Sequence, residues 1–106
     1  MSIIVRDKSG KGKEYNFEKL IFEGEYLNGE RNGIGKEYDD NGKLIFEGEY
    51  LNGKKWNGKG FKNNEIEYEI KDGNGKVKEY DDDGKLIFEG EYLNGKRNGK
   101  GKEYNE

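Results

Sequence analysis

Leu20, Phe22, Gly24 and Tyr26 alternate along the chain with Ile21, Glu23, Glu25 and Leu27. Period two over eight residues predicts a strand with two different faces, one carrying rings and glycine, the other carboxylates. Asn28-Gly29 follows at once. Asn-Gly between alternating segments is the strongest short hairpin signal, because a type I′ turn needs positive φ at both central residues. A second strand then runs from Arg31 to about Asp39, and Asn41-Gly42 turns the chain into the next hairpin. Asp83-Gly84 does the same further on.

This hairpin is copied. Leu20–Gly29 returns almost verbatim as Leu44–Gly53 and Leu86–Gly95, and each copy is followed by a half of the form Asn-Gly-x-Gly-Lys-Glu-Tyr. Asn32–Tyr38 and Asn98–Tyr104 fit that half closely; Asn57–Phe61 and Asn74–Tyr80 fit it loosely. The long interval between Phe46 and Phe88 holds one degenerate unit, Ile66–Ile70, and Gly10–Tyr15 forms a half-unit near the start. The fold class predicted is all-β: a single elongated antiparallel sheet of stacked β-hairpins, an open, solenoid-like array of about four and a half repeats. One domain covers residues 1–106, with a partial unit over 1–19 and units at about 20–43, 44–64, 65–85 and 86–106.

Counting outward from an Asn28-Gly29 loop pairs Leu27 with Glu30, Tyr26 with Arg31, Gly24 with Gly33 and Phe22 with Gly35. Each ring then lies over or diagonal to a glycine. Bare glycine marks a close approach in a strand, and an aromatic neighbour covers the backbone it exposes. The same count puts Tyr38 out of phase with Phe22 and Tyr26, which calls for a bulge or a longer loop.

Composition sharpens the picture. Only 29% of the 106 residues are hydrophobic and 41% are charged, a balance near that of disordered chains, but 13% are aromatic and 18 are glycine, spaced with the repeat. The absence of Ala and Pro beside abundant Ile, Lys, Asn, Tyr and Glu points to AT-rich coding, under which GC-rich glycine codons persist where the backbone needs them. No Cys, His, Thr, Gln, Ala or Pro is present. Disulfides, thiolate nucleophiles, zinc-thiolate sites and the commonest general base are therefore excluded. A net charge of −3 and a pI near 5.2 argue against nucleic acid as partner. No apolar run approaches membrane-spanning length, and Met1–Arg6 is too short for a signal peptide, so a cytoplasmic protein or domain is expected. The chain starts and stops within a repeat, which reads as a piece of a longer protein.

Phe22, Gly24, Tyr26, Asn28, Gly29, Gly33 and Gly35 resemble the MORN repeat, whose units run Tyr-x-Gly-x-aromatic, then Asn-Gly, then Gly-x-Gly. The pattern repeats as Phe46, Gly48, Tyr50, Asn52, Gly53, Gly58 and Gly60, and as Phe88, Gly90, Tyr92, Asn94, Gly95, Gly99 and Gly101. The third unit departs from it, with Ile66, Tyr68 and Ile70 at the aromatic-Gly-aromatic positions. Tyr68 at a glycine position should open the stacking there. What the resemblance implies is a sheet of hairpins acting as scaffold, dimerisation module or adaptor. A phospholipid role is proposed for some members, and similar bacterial proteins are often described as antitoxin-like.

Two surface features are candidates for binding. Glu23 and Glu25, Glu47 and Glu49, Glu67 and Glu69, and Glu89 and Glu91 form acidic pairs opposite the rings. Lys54, Lys55, Lys59 and Lys62, then Lys96, Arg97, Lys100 and Lys102, gather toward the hairpin ends. Stacking would turn these into an acidic stripe beside a basic edge, either a polarised docking surface or a solvated face of cross-strand ion pairs. Trp56, the only tryptophan, sits where one residue is added to the second unit's loop. It reads as a contact hot spot or as a cover for the sheet beside the degenerate unit. Asp72–Gly75 with Val77 and Asp81 imitates a calcium loop, but the first ligand position falls on Ile70, so it reads as a turn. The repeated carboxylate pairs lack any burial that would set one apart for acid–base work.

The expectation is a non-catalytic protein-interaction or scaffolding module that needs no cofactor and no metal. Its partner is another protein or a second copy of itself, since open sheet ends invite pairing. The alternatives are recognition of acidic phospholipid headgroups at the basic edge, and an antitoxin or immunity role.

Overall fold

The structure is a computed structural model describing residues 2–6, 10–81 and 83–104, and of residues 2–6, 99 and 100 the backbone alone. Every regular element in it is a strand: β1 (Ser2–Arg6), β2 (Lys11–Asn16), β3 (Lys19–Leu27), β4 (Glu30–Tyr38), β5 (Leu44–Leu51), β6 (Lys54–Lys62), β7 (Glu65–Ile70), β8 (Gly75–Tyr80), β9 (Leu86–Leu93) and β10 (Lys96–Glu103). Each strand pairs antiparallel with its neighbour in sequence, first as a seven-stranded sheet from β1 to β7, then as a three-stranded sheet from β8 to β10. The open array of consecutive hairpins is the predicted one. The molecule measures 40 × 29 × 24 Å.

The turns follow the Asn-Gly signal. Asn28, Asn52 and Asn94 adopt φ of 52°, 50° and 53°, and Gly29, Gly53 and Gly95 follow at 83°, 85° and 79°, the left-handed pair a type I′ hairpin requires. At the other end of the hairpins, Asp39 Oδ1 accepts the backbone N–H groups of Asn41 and Lys43, and Asp81 Oδ1 accepts those of Asp83 and Lys85. The Asp72-Gly73 segment is likewise a turn.

The register differs from simple counting. Leu27–Glu30 and Tyr26–Arg31 pair as predicted, but β4 then bulges opposite Glu25, so Gly24 pairs with Gly35 and Phe22 with Glu37. The fourth unit does the same, pairing Gly90 with Gly101. In the second unit the bulge is one residue shorter, not longer, and Trp56 lies in it; Gly48 pairs with Gly58 and Phe46 with Gly60. Gly58 therefore stands where Gly35 stands, and Gly60 where Glu37 stands. Gly33 serves the bulge instead of a ring: its φ is +100°, and a Cβ there would meet the Glu25 carboxylate. Gly99 lies within β10, but its surroundings fall outside the described residues.

Pairing lines the glycines up across the strands, from Gly12 through Gly24, Gly35 and Gly48 to Gly58, and again from Gly90 to Gly101. Cβ atoms do not fit on this row. One built at Gly24 would lie 2.6 Å from Gly35 Cα, one at Gly48 2.6 Å from Gly58 Cα, and one at Gly90 2.3 Å from Gly101 Cα. Two positions in the row are not glycine. Ile70 pairs with Gly58 and Val77 with Gly90, and between these strands, β7 and β8, the ladder shrinks to one bridge, Lys71–Asn74. The side chains of Ile70 and Val77, both buried, fill the space that close backbone approach uses elsewhere. The sheet divides at the degenerate unit for this reason. Tyr68 is not at the glycine position, as the sequence alignment had it, but at the phenylalanine position, with its ring over Gly60. Ile70 holds the glycine position.

The core is one ring deep. Phe22, Tyr26, Phe46, Tyr50, Ile70, Val77 and Phe88 are its buried members. Phe22 sits on Gly35, Phe46 on Gly58 and Phe88 on Gly101, with would-be Cβ distances to the rings of 2.6, 2.7 and 2.8 Å. Edge-on contacts link Tyr26, Phe22, Tyr50 and Phe46 in series at 5.7, 5.2 and 5.6 Å between centroids, and Tyr68 stacks on Phe46 at 6.5 Å. Such contacts add about 0.5–1.5 kcal/mol each beyond burial.

Gly24→Ala should lower unfolding free energy by about 1–3 kcal/mol, because its methyl meets backbone at Ile34 and Gly35 on a neighbouring strand. Lys36→Ala, on the solvated face, should change it by less than about 0.5 kcal/mol. Equal effects in urea denaturation would contradict the close packing of the glycine row.

Candidate functional site

The inner face carries the rings, and above each of the three buried phenylalanines stands a cation. Arg31 Cζ lies 4.1 Å from the Phe22 centroid, Lys55 Nζ 4.9 Å from that of Phe46, and Arg97 Cζ 4.4 Å from that of Phe88. The pairing that sets Tyr26 opposite Arg31, Tyr50 opposite Lys55 and Tyr92 opposite Arg97 puts these cations beside the rings. Lys55 and Arg97, which the sequence places on a basic edge, are thus part of the lid of the core.

Carboxylates hold the cations there. Glu14 accepts 2.7 and 3.0 Å bonds from Arg31 Nε and Nη2 and a short one from Tyr26 Oη. Glu37 accepts from Arg31 Nη1 at 2.9 Å and from Tyr50 Oη at 2.6 Å. Glu79 repeats the arrangement with Arg97 at 2.9 and 3.1 Å and Tyr92 at 2.5 Å. Where Gly60 replaces this glutamate, Tyr68 moves in and its hydroxyl accepts from Lys55 Nζ at 3.2 Å. Glycine supplies the room, since a Cβ on Gly60 would meet the Tyr68 ring at 2.0 Å. Sequence reasoning missed Glu14, Glu37 and Glu79. The signal was present: Glu precedes Tyr in each Lys-Glu-Tyr, and the cation stands three residues after the turn asparagine.

On the outer face, Glu23 pairs across the strands with Lys13 and Lys36, Glu47 with Lys36 and Lys59, Glu69 with Lys59, and Glu89 with Lys78 and Lys102. Lys36 reaches Glu47 at 3.6 Å and Lys78 reaches Glu89 at 3.7 Å. Tyr38 and Tyr80 hydroxyls donate to Glu23 and Glu67 at 2.6 and 2.8 Å. The carboxylates alternate with lysines strand by strand, and the expected acidic stripe beside a basic edge is replaced by mixed rows. Glu25 accepts the Ile34 N–H at 2.7 Å, while Glu49 meets Asn57 Nδ2 at 3.3 Å. Glu91 pairs with Lys76. Beyond Glu25, Glu49 and Glu91, at the next outward position, stand Leu27, Leu51 and Leu93, exposed by 56%, 40% and 50%.

Trp56 is half-buried against the turn of the degenerate unit: its carbonyl accepts the Gly73 N–H at 2.8 Å, and its ring would lie 2.6 Å from a Cβ there. The structure thus sets it at the covering position beside the third unit. A groove of about 550 Å³ runs along the inner face past Arg31, Glu37, Lys55, Tyr68 and Glu79. In it Arg31 is bonded to Glu37, Lys55 to Tyr68, and Glu79 to Arg97 and Tyr92. Among the described residues no cluster of acids has metal-binding geometry.

Burial raises the Glu14 and Glu79 carboxyls, but hydrogen bonds from Arg31 and Tyr26, and from Arg97 and Tyr92, outweigh it and hold both below the ordinary 4.5. Their stabilisation is present above pH 4.5 and is lost as pH falls through the lowered values. Burial and the neighbouring carboxylates Glu23 and Glu67 push Tyr38 and Tyr80 up to about 12 from 10. Stabilisation from these phenols is complete below pH 10 and fades between 10 and about 12. Stability should therefore form a plateau across neutral pH, falling at both ends. Absorbance titration should show tyrosinate forming mainly as the fold is lost; full tyrosine ionisation near pH 10 with native circular dichroism would contradict the network.

The MORN repeat variant matches residues 31–52 and 73–94, and the MORN repeat matches residues 88–105. No curated protein and no solved structure gives a significant match. The matched segments contain the rings, Asn-Gly turns and Gly-x-Gly stretches that build the glycine row and the seated phenylalanines, and the chain belongs to the MORN repeat family.

Proposed function

We propose that this chain is a non-catalytic protein-interaction module that binds through the turn end of its outer face. MORN repeats are generally regarded as mediating membrane and protein interactions, and the family is generally non-catalytic. The observation that carries the reading is the exposed leucine at the same place in three hairpins, Leu27, Leu51 and Leu93, with Ile34 also exposed on β4. The core does not use these side chains, so their recurrence is not explained by folding. Apolar surface repeated in this way is suited to a partner. Glu25, Glu49 and Glu91 stand two residues before the leucines, and Glu30, Lys54 and Lys96 stand opposite them. The apolar positions thus have a rim of mixed charge, which favours a partner segment with apolar residues set among charges of both signs.

An anionic membrane is the weaker reading. Arg31, Lys55 and Arg97 are committed to the core lid, and Lys36 and Lys78 sit beside Glu47 and Glu89. Lys59 and Lys102 of the expected basic edge also pair across strands with glutamates, which weakens the pull of that edge on headgroups. No residue favours the antitoxin alternative over a general protein contact.

Partner capture should be lost by the Leu27→Glu/Leu51→Glu double variant while its melting curve stays near wild type, since both side chains are exposed. Capture that survives the double variant would overturn the assignment of the surface. Vesicles containing phosphatidylserine should not sediment the chain at low salt; salt-sensitive binding to them would favour the membrane reading.

A further inference from the structure

The divide between β7 and β8 is tied at its turn end. Lys71 and Asn74 exchange backbone hydrogen bonds of 2.9 Å in both directions. The strand before, β6, holds this turn: Asp72 N–H donates to Asn57 Oδ1 at 2.9 Å and Gly73 N–H to the Trp56 carbonyl at 2.8 Å. The turn then holds the next one, as Asn94 N–H donates to Asn74 Oδ1 at 3.1 Å and Gly95 N–H to the Gly73 carbonyl at 2.8 Å. A chain of bonds thus couples the seven-stranded sheet to the three-stranded one along this end.

The other end is closed differently. Among the described residues no ladder joins β7 to β8 beyond the Lys71–Asn74 bridge. Instead the Tyr80 hydroxyl donates to Glu67 at 2.8 Å, and Lys62 Nζ of β6 stands 3.5 Å from the centre of the Tyr80 ring. The first unit has the same bond, from the Tyr38 hydroxyl to Glu23 at 2.6 Å. There a ladder also runs between the strands, from Leu27–Glu30 to Phe22–Glu37, and the tyrosine only adds to it. Across the divide the tyrosine stands in place of the ladder.

Two hollows meet between the tie and this closure. One, of about 380 Å³, lies at the divide beside Glu67, Tyr68, Lys76, Val77, Lys78 and Glu89. The inner groove of about 550 Å³ shares Glu67, Tyr68 and Lys78 with it. A fold opens locally where few backbone bonds join its parts, and one fixed end with one releasable end makes a hinge. We propose that the divide is a hinged slot, with the Trp56–Gly73–Gly95 turn bonds as its axis and Tyr80, held by Glu67 and Lys62, as its latch. Release of Tyr80 swings β8–β10 away from β7, uncovers Val77 and joins the two hollows. Ile70 and Val77, both buried in the core cluster, resist the opening and return the slot to its closed state. The device does not depend on the surface assigned above to binding.

The chain contains no cysteine, so Val77→Cys places a single thiol at a position exposed by 1%. Its rate of reaction with a dilute thiol reagent follows the population of the open form. Adding Tyr80→Phe removes the latch bond but keeps the ring beneath Lys62, and should speed labelling about tenfold, equivalent to about 1.4 kcal/mol. Adding Tyr38→Phe removes the matching bond where a ladder remains, and should leave the rate unchanged. Equal acceleration by the two would mean that the thiol is reached only when the whole chain unfolds, and would overturn the proposal. So would a labelling rate that Tyr80→Phe leaves unchanged. If circular dichroism shows that Val77→Cys does not fold, Ile70→Cys, on the other side of the slot and exposed by 3%, carries the same comparison.

Discussion

A phenylalanine held between a glycine and a cation is the interaction on which the rest of the structure depends. Gly35 lies beneath Phe22 and Arg31 above it; Gly58 and Lys55 do the same for Phe46, Gly101 and Arg97 for Phe88. A single sheet has no second layer to bury its rings. Here the missing Cβ lets the ring sink onto backbone, and a guanidinium or ammonium closes the other side, an attraction of about 0.5–2 kcal/mol. Burying a phenylalanine stabilises by about 1.5–3 kcal/mol, so three such units and their tyrosines supply the driving force that 29% hydrophobic residues otherwise could not.

The polar content follows from the same arrangement. A cation over a ring must itself be fixed, and Glu14, Glu37 and Glu79 fix it while accepting the tyrosine hydroxyls. Half-buried charges therefore come in hydrogen-bonded sets, and among the described residues no buried side-chain polar atom lacks a partner. Where the glutamate is absent, at Gly60, the tyrosine ring of the next strand takes over both space and hydrogen bond. The same row of glycines explains the one interruption: Ile70 and Val77 bring Cβ atoms to a line of strands built without them, and the ladder parts.

Much of this was legible in the residues. Period-two alternation placed the strands, Asn-Gly placed the turns, and the recurrence of ring and glycine announced the packing. Local opening at the degenerate unit was foreseen from Tyr68, although the residues responsible are Ile70 and Val77. Register was not legible, because a bulge adds residues to one strand without changing its alternation; Gly33 and Gly58 look alike in sequence and do different work. The lid was hidden for another reason. Lys55 and Arg97 read as surface charge until pairing sets them opposite Tyr50 and Tyr92. Lys59 and Lys102 are similarly grouped by sequence neighbourhood, whereas cross-strand pairing sets them beside glutamates.

The central claim is that ring and glycine act as one unit. A double-mutant cycle on unfolding free energy, using Gly35→Ala, Phe22→Leu and the pair, measures it. The account predicts strong coupling of at least about 1 kcal/mol, with the added methyl costing much less once the ring that occupies its place is gone. Strict additivity, within about 0.3 kcal/mol, would contradict it.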